Sequence, residues 1–184
     1  MYIAFEGHDG AGKTTTAEKF VERLQEQGKD VLFVRAPGYT NFGMYIRRTW
    51  HPNLRVRYLQ FLTHHVELLD DVIKPHLAKG GWVVQDRTYI SSVVYSAGII
   101  PSPILLAGYV DWITLPDRLF VLECPIDLAL ERLANQPKDL PDPDKEELTN
   151  IQIRYKIEGM ALNGHLIDTT KPQDEVIEQC LKLL

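Results

Sequence analysis

The chain lacks what would place it in an oxidising compartment or across a membrane. Its 184 residues include two cysteines, Cys124 and Cys180, far apart in sequence. The two could pair, but small secreted domains stapled by disulfides carry denser cysteine patterns. Both therefore read as small apolar residues in a reducing, cytoplasmic setting. No apolar run reaches the roughly 18 residues needed to span a bilayer. The chain opens directly on Tyr2-Ile3-Ala4-Phe5, without the basic and then apolar layout of a secretion signal. Repeats and low-complexity tracts are missing as well. A net charge of −5 weighs against a general binder of nucleic acid or of membrane surfaces.

One further absence is local. Residues 31–66 hold no Asp or Glu, yet contain Arg35, Arg47, Arg48, Arg55 and Arg57. The opposite holds at Asp139, Asp142, Asp144, Glu146 and Glu147. A basic segment in an acidic chain suggests a site for a small anion, although a solvated charged face gives the same pattern.

What is present is an ordinary globular composition, 45% apolar, enough for one domain over 1–184. Apolar runs alternate with amphipathic stretches, which predicts repeated βαβ units and a doubly wound α/β fold with a parallel five-stranded sheet flanked by helices. Strands are expected at Tyr2–Glu6, Val31–Arg35, Trp82–Gln85, Arg118–Glu123 and His165–Asp168. Helices are expected over 13–27, 43–50, 55–79, 89–97, 103–113, 126–135, 145–162 and 173–183. In the long third helix, Leu59, Leu62, Val66, Leu69, Ile73 and Leu77 form the apolar stripe, and Pro75 threatens its last turns. The segment 136–144 contains three prolines and reads as a loop between helices. Its position suits a lid over about 134–148, or a plain connector.

Gly7-His8-Asp9-Gly10-Ala11-Gly12-Lys13-Thr14 fits G-x-x-x-x-G-K-[ST], with a strand before it and a helix after. Glycines allow backbone amides to curl around phosphates, and the helix N-terminus adds its positive end. In this P-loop reading Gly7, Gly10, Ala11, Gly12, Lys13, Thr14 and Thr15 bind the nucleotide. Lys13 reaches the β and γ phosphates, and Thr14 offers its hydroxyl to Mg²⁺. Trp82-Val83-Val84-Gln85-Asp86 is an apolar run ending in a carboxylate, suited to bring Asp86 beside the same ion. ATP and Mg²⁺ are the expected cofactors. A GTPase would need Asn-Lys-x-Asp, and Asn135-Gln136-Pro137-Lys138-Asp139 is not that tetrapeptide. A small chain with arginines beyond the loop favours a kinase acting on a small phosphorylated acceptor.

An ordered series of motifs then resembles the thymidylate kinase family over nearly the whole chain. Phe5-Glu6-Gly7-His8-Asp9-Gly10-Ala11-Gly12-Lys13-Thr14-Thr15 is similar to that family's opening. Arg35-Ala36-Pro37-Gly38 resembles its Arg-Glu-Pro-Gly, and Ile46-Arg47 its phosphate-contacting arginine. Leu59-Gln60-Phe61 and Ile73-Lys74-Pro75 match the ends of its base-binding helix. Asp86-Arg87, Ser91 and Tyr95 keep its Asp-Arg-x-x-x-Ser-x-x-x-Tyr spacing. Pro116-Asp117, Leu130-Glu131-Arg132 and Ile167-Asp168 follow in order.

The resemblance implies a nucleoside monophosphate kinase for dTMP or a related deoxynucleotide. It assigns Asp9 to the acceptor's 3′-hydroxyl, Arg35, Arg47 and Arg87 to its phosphate, and Phe61 to stacking on its base. Tyr95 would pack on the sugar and disfavour a 2′-hydroxyl. Arg132 would lie on the adenine, and Lys13, Asp9, Arg87 and Arg132 would form the catalytic set. A homodimer is implied through the helices flanking the acceptor site.

The series also departs from its family. His65 and Glu67 stand where an Arg and often a Gln read thymine, which would shift or relax base preference. Gly10 takes the place of a P-loop Arg, and 134–148 carries only Lys138 and Lys145 as cations. Lys138, Arg132 or Arg154 could supply the missing charge. Three rivals follow: a kinase for a different or modified deoxynucleotide, a deoxynucleoside kinase, and a P-loop protein that binds nucleotide without catalysis.

Overall fold

A computed structural model describes residues 1–49, 51–96, 112–135 and 143–184. Five strands run parallel: β1 (Tyr2–Gly7), β2 (Val31–Arg35), β3 (Trp82–Asp86), β4 (Arg118–Glu123) and β5 (His165–Asp168). Their order across the sheet is β2-β3-β1-β4-β5. All five expected strands are observed, with β1 and β3 each one residue longer. Strand β1 is buried along its whole length, as a central strand covered on both faces must be.

The helices are α1 (Lys13–Glu26), α2 (Asn41–Arg48), α3 (Leu54–Leu68), α4 (Lys74–Ala78), α5 (Tyr89–Ser96), α6 (Ile126–Ala134), α7 (Lys145–Ala161) and α8 (Gln173–Leu181). Four begin on side-chain caps: Thr40 accepts from the Gly43 amide, Asn53 from Arg55, Thr88 from Ile90, and Asp144 from Glu147. The helix expected over 103–113 lies almost wholly outside the described residues, as does the 136–142 part of the lid, which holds Lys138.

The expected helix over 55–79 is not one helix. Between α3 and α4, Leu69–Ile73 forms a π turn in which the Lys74 amide donates to the Leu69 carbonyl. Pro75 explains the break. It has no amide for the Asp71 carbonyl and its ring crowds that turn, so the helix widens by one residue.

Side chains alternate along β1 and sort the core into two layers. Ile3 and Phe5 join Phe20 and Leu24 of α1, Phe120 and Leu122 of β4, and Val176 and Ile177 of α8. Ala4 joins Tyr58 of α3, Tyr89, Ile90 and Val93 of α5, and Ile151 and Tyr155 of α7. Helices therefore cover both faces, the doubly wound arrangement. The crossover from β1 runs past β3 to β2, and the one from β3 runs past β1 to β4, so the winding reverses between β1 and β3. The crevice at the carboxyl end of β1 is the ligand position of such sheets.

Phe5, Phe20 and Phe120 meet with ring centroids 5.3, 5.2 and 5.9 Å apart, all fully buried. Phe20→Ala should cost about 3–5 kcal/mol of folding stability, read by urea unfolding. A loss below about 1 kcal/mol would mean that this cluster does not anchor α1 to the sheet.

Candidate active site

The loop after β1 owes its shape to close packing. A Cβ on Gly7 (φ 141°) would lie 2.2 Å from the Leu122 carbonyl oxygen, and one on Gly10 (φ 77°) 2.5 Å from that of Ala129. Only glycine fits at either position. The loop turns into α1, which has neither a side-chain cap nor an acidic residue in its first turn. Its amides and positive dipole end are left for an anion. Lys13 Nζ donates to the His8 carbonyl at 2.7 Å, and Lys13 is 6% exposed. Burial first, then the nearby Arg87 charge, push the Lys13 ammonium down to about 8.

Strand β3 pairs Asp86 with Phe5 of β1 and with Arg35 of β2, so Asp86 sits beside the loop. Its Oδ2 accepts from the Thr14 hydroxyl at 2.6 Å and lies 3.5 Å from Arg35 Nε. Its Oδ1 is buried without a hydrogen-bond partner. An orphaned carboxylate oxygen next to a P-loop hydroxyl suits Mg²⁺, whose ligands are hard oxygens. Among the described residues no cluster of three His, Cys, Asp or Glu offers another metal site.

A second constellation faces the loop from the turn after β3. Arg87 Nη2 is ion-paired with Asp9, and the Tyr95 hydroxyl donates to the other Asp9 oxygen at 2.7 Å. Arg87 Nη1 also donates to the Tyr155 hydroxyl (3.3 Å) and to Ser91 Oγ (3.4 Å). Burial alone would raise the Asp9 carboxyl, but Arg87 and Lys13 outweigh it and hold it well below the usual carboxylate range. Asp9 is thus ionised at every working pH, an acceptor only.

The remaining expected residues have distinct settings. Arg132 Nη1 donates to the Gly10 carbonyl and to Thr169 Oγ1, both at 3.2 Å, and Nη2 donates to the Thr169 carbonyl at 2.9 Å. It thereby braces the loop at Gly10, and at Ala11 through Thr169, whose hydroxyl donates to the Ala11 carbonyl at 3.0 Å. Thr15 is exposed on α1, and its carbonyl accepts from Gln173. Arg35 is half-exposed at the end of β2, Arg47 is exposed on α2, and Phe61 is half-buried on α3.

His65, one turn beyond Phe61, is 2% exposed, with its ring 5.7 Å from that of Tyr89. Neither ring nitrogen has a hydrogen-bond partner. Burial, then His64, push it down to about 3, so it is a neutral imidazole. Glu67 differs from its sequence reading. Its Oε2 accepts from Thr40 Oγ1 at 2.7 Å and lies 3.3 Å from His64 Nδ1, which ties α3 to the cap of α2. Of the candidates for the missing cation, Lys138 lies outside the described residues and Arg132 is held as above, while the other lid cation, Lys145, pairs with Asp127. Arg154 donates to the Val94 carbonyl at 3.4 Å. It lines a cavity of about 280 Å³ with Tyr95, Asp144, Glu147 and Asn150.

Sequence reasoning passed over Glu6, Tyr155 and Thr169. Glu6 is fully buried, and its two oxygens accept from Thr88 N (2.6 Å), Thr88 Oγ1 (2.8 Å) and Ser91 Oγ (2.8 Å). The signal was a carboxylate inside an apolar central strand, which must be paired. Tyr155 and Thr169 offered no such signal.

A phosphate loop at the switch point of a parallel sheet, faced by an Asp–Arg pair, defines a P-loop nucleotide-binding protein with room for a second anion. Residues 5–180 match the thymidylate kinase family. Thymidylate kinase of Thermosipho africanus is 34% identical over 97% of this chain and 94% of its own length. That of Fervidobacterium nodosum is 34% identical over 100% and 98%. A probable thymidylate kinase of Methanoculleus marisnigri is 31% identical over 96% and 90%. The chain belongs to the thymidylate kinase family.

Gly10→Ala tests the packing of the loop. A left-handed alanine costs about 1–2 kcal/mol, and the contact with Ala129 adds to it. The urea midpoint should fall accordingly, and an unchanged midpoint would show that the loop has space to move.

Proposed function

We propose that the protein transfers the γ-phosphate of ATP to dTMP or a closely related deoxynucleoside monophosphate. The observation that carries this is the Asp9–Arg87 pair set opposite Lys13, which supplies acceptor-side charge next to a donor phosphate loop. Family membership supports the same reaction.

In this reading the amides of Gly10, Ala11, Gly12, Lys13, Thr14 and Thr15 cradle the ATP phosphates. Lys13 leaves the His8 carbonyl for the β and γ oxygens. Thr14 and Asp86 hold Mg²⁺, which when bound neutralises charge on the phosphates. Arg132 presents its guanidinium face to the adenine while Thr169 and Gly10 fix its edge. On the acceptor side Arg35, Arg47 and Arg87 hold the monophosphate with planar forks that match its oxygens. Asp9 accepts the 3′-hydroxyl, Tyr95 packs on the deoxyribose, and Phe61 stacks on the base for about 1–3 kcal/mol. His65 contributes only as a neutral group. No strong general base is needed, because in-line positioning and neutralisation carry the transfer.

Among the described residues no helix is long and apolar enough to cross a membrane, and both cysteines are free and buried. Family membership supports an enzyme working on small-molecule nucleotides. Exposed Leu54, Val56 and Leu59 on α3 support a homodimer across that helix.

The test is ADP release from Mg·ATP with each deoxynucleoside monophosphate and with thymidine, using Lys13→Ala as the blank. Release with dTMP, abolished in Lys13→Ala and lowered about 10²–10³-fold in Arg87→Ala, is expected. Release with thymidine alone would make the protein a nucleoside kinase, and no release would make it a nucleotide-binding protein. A pH profile adds an independent check. Lys13 binds phosphate when protonated and loses its proton near pH 8 in the free protein. The KM for ATP should therefore rise as pH climbs from 7 to above the Lys13 value, and a flat KM over that range contradicts the assignment.

A further inference from the structure

Arg87 has φ 69°, a left-handed backbone that large side chains rarely adopt. Its peptide is held from three sides. The Arg87 amide donates to the Phe5 carbonyl at 3.0 Å, and the following Thr88 amide donates to Glu6 Oε1 at 2.6 Å. The Arg87 carbonyl accepts from Gln85 Nε2 at 2.9 Å. The other end of the same amide, Gln85 Oε1, accepts the Tyr2 hydroxyl at 2.5 Å.

Tyr2 and Gln85 are 2% and 0% exposed. The strand register brings them together: Tyr2 pairs with Val83 and Ala4 with Gln85, so the small Ala4 lies where the two side chains meet. The surroundings are apolar, with Tyr2 packed among Leu68, Leu69, Ile73 and Val83. The fold does not require a polar pair there. A Phe and a Leu of similar volume would bury the same surface without desolvating a hydroxyl and an amide. What the polar pair adds is a fixed donor beneath the Arg87 carbonyl.

We infer that Tyr2 and Gln85 are positioning residues that lock the left-handed peptide of Arg87, and through it aim the guanidinium at Asp9 and the acceptor phosphate. The inference rests on the role proposed for Arg87. A guanidinium displaced by about 1 Å loses much of its effect on the transferring group, so the expected signature is in kcat rather than in ATP binding.

The experiment compares Gln85→Leu, Tyr2→Phe, the double variant and Arg87→Ala by steady-state kinetics and by Tm. Gln85→Leu should lower kcat about tenfold or more with the KM for ATP unchanged, and lower Tm because the Tyr2 hydroxyl loses its acceptor. Tyr2→Phe should show a smaller loss of kcat, since the Gln85 amide remains but is no longer pinned. The double variant, freed of the orphaned hydroxyl, should regain Tm relative to Gln85→Leu yet show no higher kcat. Recovery of kcat together with Tm would reduce the pair to a packing element and overturn the inference, as would wild-type kcat in Gln85→Leu. Should Gln85→Leu fail to fold, Tyr2→Phe and the double variant decide between the same two outcomes. Wild-type turnover in Arg87→Ala would instead overturn the role of Arg87, and the inference with it.

Discussion

The site depends on one partly buried ion pair, Asp9 with Arg87. It joins the phosphate loop of β1 to the turn that follows β3, the two segments that must meet for donor and acceptor to be brought together. A charge taken out of water survives only if it is paired and its remaining donors are bonded. Here two further Arg87 donors, both on Nη1, reach Tyr155 and Ser91, and the second Asp9 oxygen receives Tyr95. Glu6 closes the arrangement from beneath. Burial pushes its carboxyl up, against the pull of the Thr88 amide and of Arg87, and its oxygens fix both Thr88 and Ser91. Asp9 and Arg87 are therefore held in place by the fold's own hydrogen bonds, before any ligand arrives.

The donor side follows a different logic. Its cations are crowded: Arg87 is one of the influences that pull Lys13 down to about 8. Burial is the larger influence, and a bound phosphate would supply the counter-charge that burial withholds. The unpaired Asp86 Oδ1 and the uncapped N-terminus of α1 express the same incompleteness. Arg132 meets a mechanical need, since glycines that permit the loop's curvature also leave it soft. By bonding Gly10 and Thr169 together, it ties that loop to the segment after β5.

Much of this was legible in the sequence, and the limits have physical causes. Strand positions were readable because buried parallel strands are short, continuous apolar runs bounded by loops. The phosphate loop was readable because its glycines answer a backbone requirement that few contexts share. Apolar spacing alone extends helix α3 too far, because it continues through Leu69 and Ile73 while Pro75 changes the backbone underneath it. Glu67 reads as a group facing the acceptor, since a sequence cannot show that Thr40, distant in the chain, takes its oxygen. Tyr155 is invisible for the same reason. It lies on α7, and its hydroxyl reaches Ser91 at 2.8 Å only after the sheet has brought α5 and α7 side by side.

His65 shows how far a substitution can alter a site without removing its function. An arginine is always charged, donates only, and must be paired when buried. The imidazole in its place has shed its charge, so it enters the core beside Tyr89 at the smaller cost of two unsatisfied nitrogens. A neutral ring can donate from one nitrogen and accept at the other. Any reading of the acceptor base by His65 is therefore a matter of hydrogen-bond polarity rather than of charge. Neither nitrogen reaches solvent in the packing of α3 against α5. Glu67, two residues on, is held instead by the Thr40 and His64 contacts that join α3 to the cap of α2.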